Sequence, residues 1–211
     1  MNGAQSLIGT LVDAGVTACF ANPGTSEMHF VKALDDGPEM RGILALFEGV
    51  ATGAADGYAR MAGHPAATLL HLGSGLANGS ANLHNARRAA TPMVNIVGDH
   101  ATHHKRYDAP LDSDIEAGAS TTSGWLRTSM RPEDIARDAA EAVAAAIGPP
   151  GRIATLILPA DVSWSESTGP VAPIAPADRT PVADDAVAAV AAVLASGEPT
   201  ALLVGGSVTR E

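Results

Sequence analysis

The chain has 211 residues, enough for one good-sized domain and the start of another. Its 46% apolar and 17% charged residues describe a globular core, not a disordered segment. A formal charge of −10 leaves no basic patch to neutralise phosphates, and 3% aromatics leave no stacking platform, so a nucleic-acid partner is excluded.

No stretch approaches the roughly 20 apolar residues of a spanning helix, so no membrane partner is expected. Residues Met1 to Ser6 lack a positive region leading into a long apolar run, and Cys19 has no second cysteine to pair with. A reduced, cytoplasmic setting is therefore expected.

In chain order, Ala4 to Ala14 reads as an amphipathic helix with Leu7, Ile8, Leu11 and Val12 on one stripe, closed by Gly15. Thr17 to Ala21 is a short buried strand. It ends in Asn22-Pro23-Gly24-Thr25-Ser26-Glu27, turn chemistry leading into a helix with Thr25 or Ser26 as N-cap. After Pro38, the apolar run Ile43 to Phe47 suits a fully buried strand. Glu48 follows at once, then a small-residue helix with Val50, Ala54 and Tyr58 at helical spacing.

Glu48 thus sits where a strand hands over to a helix N-terminus. The helix dipole tolerates negative charge there, while apolar surroundings make an unpaired carboxylate costly. Such a carboxyl is either uncharged or held for a partner that arrives from outside. It is the leading candidate site residue.

The alternation continues with a strand over Ala67 to His71, a Gly-rich turn, and a helix from about Leu76 to Arg88. Met93 to Val97 is a strand followed by the loop beginning Gly98-Asp99-His100, and Trp125 to Thr128 forms another strand. Arg131-Pro132-Glu133-Asp134 opens a helix that runs to about Ile147, and Ala154 to Leu158 is a last buried strand. Apolar strands alternating with helices imply an α/β fold, a doubly wound parallel sheet with helices on both faces. Ligands in such sheets bind at the carboxyl ends of the strands, where Asn22-Pro23-Gly24, Glu48, His71 and Asp99-His100 all fall.

Three stretches occur in order: Asn-Pro-Gly at 22–24, Glu-Gly-x-Ala-x-Gly-x-Ala-Asp-Gly-Tyr-Ala-Arg at 48–60, and Gly-x-Gly-x-x-Asn at 73–78. Together they resemble the pyrimidine-binding domain of thiamine diphosphate (ThDP) enzymes, in the acetolactate synthase and benzoylformate decarboxylase group. The resemblance implies a catalytic Glu48 that bonds the aminopyrimidine N1′ and promotes its imino tautomer. It implies a cofactor pocket lined by Asn22, Pro23, Gly24, Gly73, Gly75 and Asn78. Ser74 departs from the proline usual in acetolactate synthases.

His71 matches a histidine that donates or accepts protons in benzoylformate decarboxylase-like members, and Thr25 a serine that contacts the substrate carboxylate. An imidazole, which titrates near neutrality, suits the first role. A strand-end histidine satisfied by the fold and an N-cap threonine are the plain alternatives. His100, His103 and His104 lack the carboxylate or cysteine pattern of a metal site, so no metal ligands are assigned.

The implied activity is decarboxylation of a 2-oxo acid, followed by ligation to a second 2-oxo acid as in acetolactate synthases. Two alternatives are release without ligation and a non-catalytic binding module. Residues 1–165 are expected as the pyrimidine domain, 166–183 as a linker, and 184–211 as the start of a middle domain with a strand over Thr200 to Val204. The family's Mg2+ and diphosphate site is expected outside this chain, as is any FAD site. A homodimer or tetramer is expected because the family's active site lies between subunits. A fragment of a longer protein, inactive alone, is the corresponding expectation.

Overall fold

The computed structural model describes residues 1–206. Its elements are α1 (Gly3–Asp13), β1 (Ala18–Asn22), α2 (Met28–Asp36), β2 (Arg41–Leu44), α3 (Glu48–Ala62), β3 (Ala66–Leu70) and α4 (Leu72–Arg88). They continue with β4 (Met93–Asp99), α5 (Ile115–Ser120), β5 (Trp125–Thr128), α6 (Ile135–Ile147), β6 (Ile153–Pro159), α7 (Ala160–Trp164) and α8 (Asp184–Leu194). Six strands form one sheet in the order β2-β1-β3-β4-β6-β5, with every pair parallel. The expected doubly wound architecture is what is found.

Alternation along the buried strands feeds two separate cores. On one face Cys19, Leu69, Ile96 and Leu156 meet Leu7 and Leu11 of α1 and Ile135 and Val143 of α6. On the other, Leu70, Met93, Val97 and Ile157 meet Ala51 and Ala55 of α3 and Leu76 and Leu83 of α4. One polar rung crosses the central strands in register: Thr68 donates to Asn95, Asn95 to Thr155, and Ser123 bonds Thr155. Because every member is bonded, the rung lies in the interior without an orphaned donor. Burial pushes the Cys19 thiol up to about 12, which leaves it inert in the core.

Helix boundaries follow local chemistry. α1 opens on a capping box in which Asn2 accepts from the Gln5 N–H and Gln5 accepts from the Asn2 N–H. It closes at Ala14, with Gly15 at φ +84° just beyond, the left-handed turn that glycine makes at least strain.

Several expectations are corrected. Ile43 to Phe47 is not a buried strand: β2 ends at Leu44 on the sheet edge, and Leu44, Leu46 and Phe47 are exposed. An apolar run cannot itself distinguish a buried strand from an edge with an apolar outer face. The helix expected after Glu48 is found as α3, and its buried stripe is Ala51, Thr52, Ala55 and Ala59. Its small residues let α3 and α4 approach closely, so that a Cβ at Gly53 would meet Asn82 and one at Gly79 would meet Thr52. The Gly-rich stretch after β3 is already helix, because α4 starts at Leu72. Neither Thr25 nor Ser26 caps α2; they belong to a short 3-10 turn, Thr25–Glu27. Arg131 to Asp134 form a turn, and α6 begins at Ile135.

The first compact unit runs Met1–Ala177 and the second Asp178–Glu211. Beyond α7, the chain remains tied to α1. The Ser167 N–H donates to the Met1 carbonyl, and the Gly169 and Val171 N–H groups donate to the Ser6 and Thr10 hydroxyls. In the second unit α8 is regular, but residues 200–204 are irregular rather than the expected strand. The sequence from Ser207 onward lies outside the described residues. No helix among the described residues is long and apolar enough to cross a membrane.

Candidate active site

The carboxyl ends of β1, β2, β3 and β4 carry the predicted residues, and the fold brings two carboxylates there in different ways. Glu48 is the first residue of α3 and only 8% exposed. Its Oε2 accepts from the Asn78 side-chain amide at 3.0 Å, while Oε1 has no donor among the described residues. A Cβ on Gly75 would come within 3.0 Å of that Oε1, so glycine there keeps space beside the carboxylate. The Gly75 N–H also donates to the His71 carbonyl, so the glycine that leaves space beside Glu48 lies one helical turn from His71.

That turn is strained. Leu72, fully buried, has φ +54°, a left-handed conformation that costs a non-glycine residue roughly 1–2 kcal/mol. The strain reverses the chain at once between β3 and α4, placing His71 at the mouth of the sheet.

The other predicted residues divide. The Asn22 side-chain amide donates to the Ala45 carbonyl at 2.7 Å, so Asn22 anchors the β2–α3 loop that carries Glu48. Pro23 lines a shallow cleft with Val31, Leu34 and Ile43. Gly73 accommodates the neighbouring loop, since a Cβ there would meet the Ser113 hydroxyl at 1.9 Å. Thr25 is exposed at the start of its 3-10 turn, and its hydroxyl has no partner among the described residues.

Glu27 is the residue that sequence reasoning passed over. It is 1% exposed; its Oε2 accepts from the Gly24 N–H at 2.7 Å and lies 2.8 Å from His71 Nδ1, and Oε1 is buried with no partner. Burial pushes its carboxyl above the usual value, against the opposing pull of the Gly24 N–H and His71. A signal was present: an acid three residues after a turn glycine is the N3 position of a capping box.

Farther along the edge, Lys105 bridges Asp99 and Asp112 at 3.0 and 2.7 Å. Desolvation works against its charge, but these carboxylate bonds outweigh it and hold the ammonium above its usual range. A cavity of about 350 Å³ lies there, lined by Asp99, Lys105, Ser113, Ile115, Thr128 and Met130. Glu48 and His71 are not among its lining residues, so this cavity is separate from the corner where Glu27 and Glu48 lie. His100 and His104 stack loosely at 5.5 Å, and among the described residues no group of three metal-ligating side chains forms.

A parallel doubly wound domain with a half-satisfied carboxylate at a strand-to-helix junction defines a cofactor-binding α/β domain. The family is specific: residues 1–120 match the model of the thiamine pyrophosphate enzyme N-terminal TPP-binding domain, and the chain belongs to that family. It is 64% identical over 210 residues to a Mycobacterium tuberculosis protein provisionally named acetolactate synthase large subunit IlvX, covering 100% of this chain and 40% of that protein. It is 34% identical over 155 residues to benzoylformate decarboxylase of Pseudomonas aeruginosa, covering 72% of this chain and 28% of the relative. A solved structure from Mycobacterium smegmatis, provisionally described as a thiamin diphosphate-dependent enzyme, superposes with a TM-score of 0.84 at 28% identity, over 92% of this chain and 37% of that one. The chain therefore spans about two fifths or less of these relatives' length.

The site fits the cofactor on its own geometry. One Glu48 oxygen is held by Asn78, the other faces open space kept by Gly75, and no protein group competes for it.

Proposed function

We propose that this chain is the cofactor-activating part of a ThDP-dependent enzyme that decarboxylates a 2-oxo acid and ligates the product to a second 2-oxo acid, as acetolactate synthases do. The observation that carries the reading is Glu48: a buried carboxylate at a helix N-terminus, oriented by Asn78 and left with one free oxygen. Nothing in the packing requires a charge there, and the second oxygen stays reachable for a partner that arrives from outside.

Bound ThDP supplies a nucleophilic thiazolium carbon and an electron sink that lets a 2-oxo acid lose CO2. Glu48 would hold the aminopyrimidine and exchange a proton with it at Oε1. Asn78 fixes the carboxylate's orientation, and Gly75 leaves room for the ring. Thr25, exposed and with a free hydroxyl, is the residue offered for the substrate carboxylate. Mg2+, the diphosphate and any FAD would be held by sequence outside this chain.

Leu44, Leu46, Phe47 and Val50 present an exposed apolar face beside Glu48. Apolar surface of that kind is characteristic of an interface, and it supports a homodimer or tetramer in which another subunit covers the site. A cytoplasmic enzyme acting on a small 2-oxo acid completes the reading.

One observation favours a second outcome, release of an aldehyde without ligation. His71 has a carboxylate behind it and a free Nε2, an arrangement suited to moving protons to and from a product. The two outcomes separate in one experiment. The enzyme carrying this chain is given ThDP, Mg2+ and either pyruvate or benzoylformate; CO2 is followed and the carbon product identified by NMR. Acetolactate establishes the ligating reading, aldehyde the second, and no CO2 from any 2-oxo acid removes both.

A further inference from the structure

Activation at Glu48 does not require a fully buried carboxylate behind His71, yet the fold makes room for one at several points. The Glu27 Oε2 accepts the Gly24 N–H and lies 2.8 Å from His71 Nδ1, so a ring proton on Nδ1 would give that oxygen its second donor. Two glycines are shaped around the pair. A Cβ on Gly24 would sit 2.4 Å from the His71 ring, and one on Gly98 would sit 1.7 Å from Glu27 Oε1. The His71 side chain is one-fifth exposed, and its Nε2 has no hydrogen-bond partner among the described residues. Three strands converge on this pair: β1 leads to the Glu27 turn, β3 ends at His71, and β4 contributes Gly98.

We propose that Glu27 is a positioning residue: it holds neutral His71 in the Nδ1–H tautomer, so that Nε2 is the ring nitrogen presented to the site. The inference rests on the aldehyde-releasing reading for its catalytic meaning, though not for its structural one. During turnover a proton is taken up and given back at Nε2, while Nδ1–H stays bonded to Glu27. The imidazolium formed in between is then paired with a carboxylate. Fixing a histidine's tautomer through a buried acid is a general device of proton-transfer sites.

Imidazole 15N–1H correlation spectra of this chain test it at a pH where His71 is neutral, with H71N identifying the signals. Wild type is expected to show a protonated Nδ1. Glu27→Gln retains a carbonyl acceptor and keeps that tautomer. Glu27→Met removes the acceptor and returns the ring to the Nε2–H form that free imidazole favours. An Nε2–H ring in wild type overturns the proposal, a readout that does not depend on the Met variant folding. A tautomer unchanged in Glu27→Met also overturns it, the result expected if Glu27 only ties down the Gly24 turn.

In the cofactor-loaded enzyme, Glu27→Met should lower kcat about 100-fold with KM changed less than about 2-fold, and Glu27→Gln should restore part of the loss. The expected tautomers without CO2 release from any 2-oxo acid keep the positioning role and remove the decarboxylase reading. CO2 release with an unchanged tautomer does the reverse.

Discussion

The two carboxylates at this sheet edge are a controlled comparison. Glu48 lies at the β2 corner, beside exposed Leu46 and Phe47, with one oxygen bonded and one free. Glu27 lies between β1, β3 and β4, walled in by Gly24 and Gly98, with a histidine already in place. One is buried by the beginning of a helix and remains open to an arriving ligand; the other is complete within the chain. The same functional group is thus left open at one corner and closed at the other according to what surrounds it.

The largest effect expected from breaking this contrast is at the open corner. Glu48→Gln should cut ThDP-dependent CO2 release by about 100- to 10,000-fold, the range for losing a group that moves a proton in the reaction. It should leave the thermal midpoint within a few degrees, because the amide can still accept from Asn78. Unchanged turnover, or unfolding in place of inactivation, would merge Glu48 with the structural acids. At the closed corner the balance inverts. Gly98→Ala places a methyl group on the Glu27 carboxylate in a central strand, and overpacking of that kind destabilises by about 1–3 kcal/mol. The midpoint should fall by roughly 2–4 °C for each of those kcal/mol, as differential scanning calorimetry would show.

The two corners were not equally legible in the sequence. The sheet was, because short apolar runs such as Met93 to Val97 and Ala154 to Leu158 alternate with helical stretches, the pattern of a parallel sheet. Glu48 was, because a lone acid directly after an apolar run has few structural explanations. Its surroundings were not: the run Ile43 to Phe47 does not announce that β2 is an edge, since strand order depends on contacts between distant segments. Glu27 was hidden for a related reason. In sequence it is one polar residue in a turn, and only the return of β3, 44 residues later, gives it His71. The helical start of α4 was obscured by Gly73 and Gly75, whose glycines answer to Ser113 and Glu48 rather than to turn geometry.

A pH series reads the closed corner with a gentler perturbation. Burial raises the Glu27 carboxyl above its ordinary 4.5, so the folded state binds that proton more tightly than the unfolded chain. The sign follows: its contribution is fully present below about pH 4.5 and is lost as pH rises through the folded value. The groups that face it are the Gly24 N–H and His71, both of which oppose the shift without reversing it. Urea titrations at successive pH values should show wild type losing stability relative to Glu27→Gln as pH rises from 4.5 toward neutrality. A constant difference would mean that Glu27 does not change its proton affinity on folding.

The smallest effect is expected at the face that flanks Glu48. Leu46 is 90% exposed, so within this chain its side chain stabilises almost nothing. Leu46→Ser should change the unfolding free energy by no more than about 0.5 kcal/mol at low concentration. At higher concentration the prediction separates two states of the open corner. If Leu44, Leu46, Phe47 and Val50 are covered by another subunit, Leu46→Ser weakens self-association in sedimentation velocity while leaving the monomer's melt untouched. If sedimentation is identical for both proteins, that face is not where subunits meet, and the open side of Glu48 is closed by some other surface.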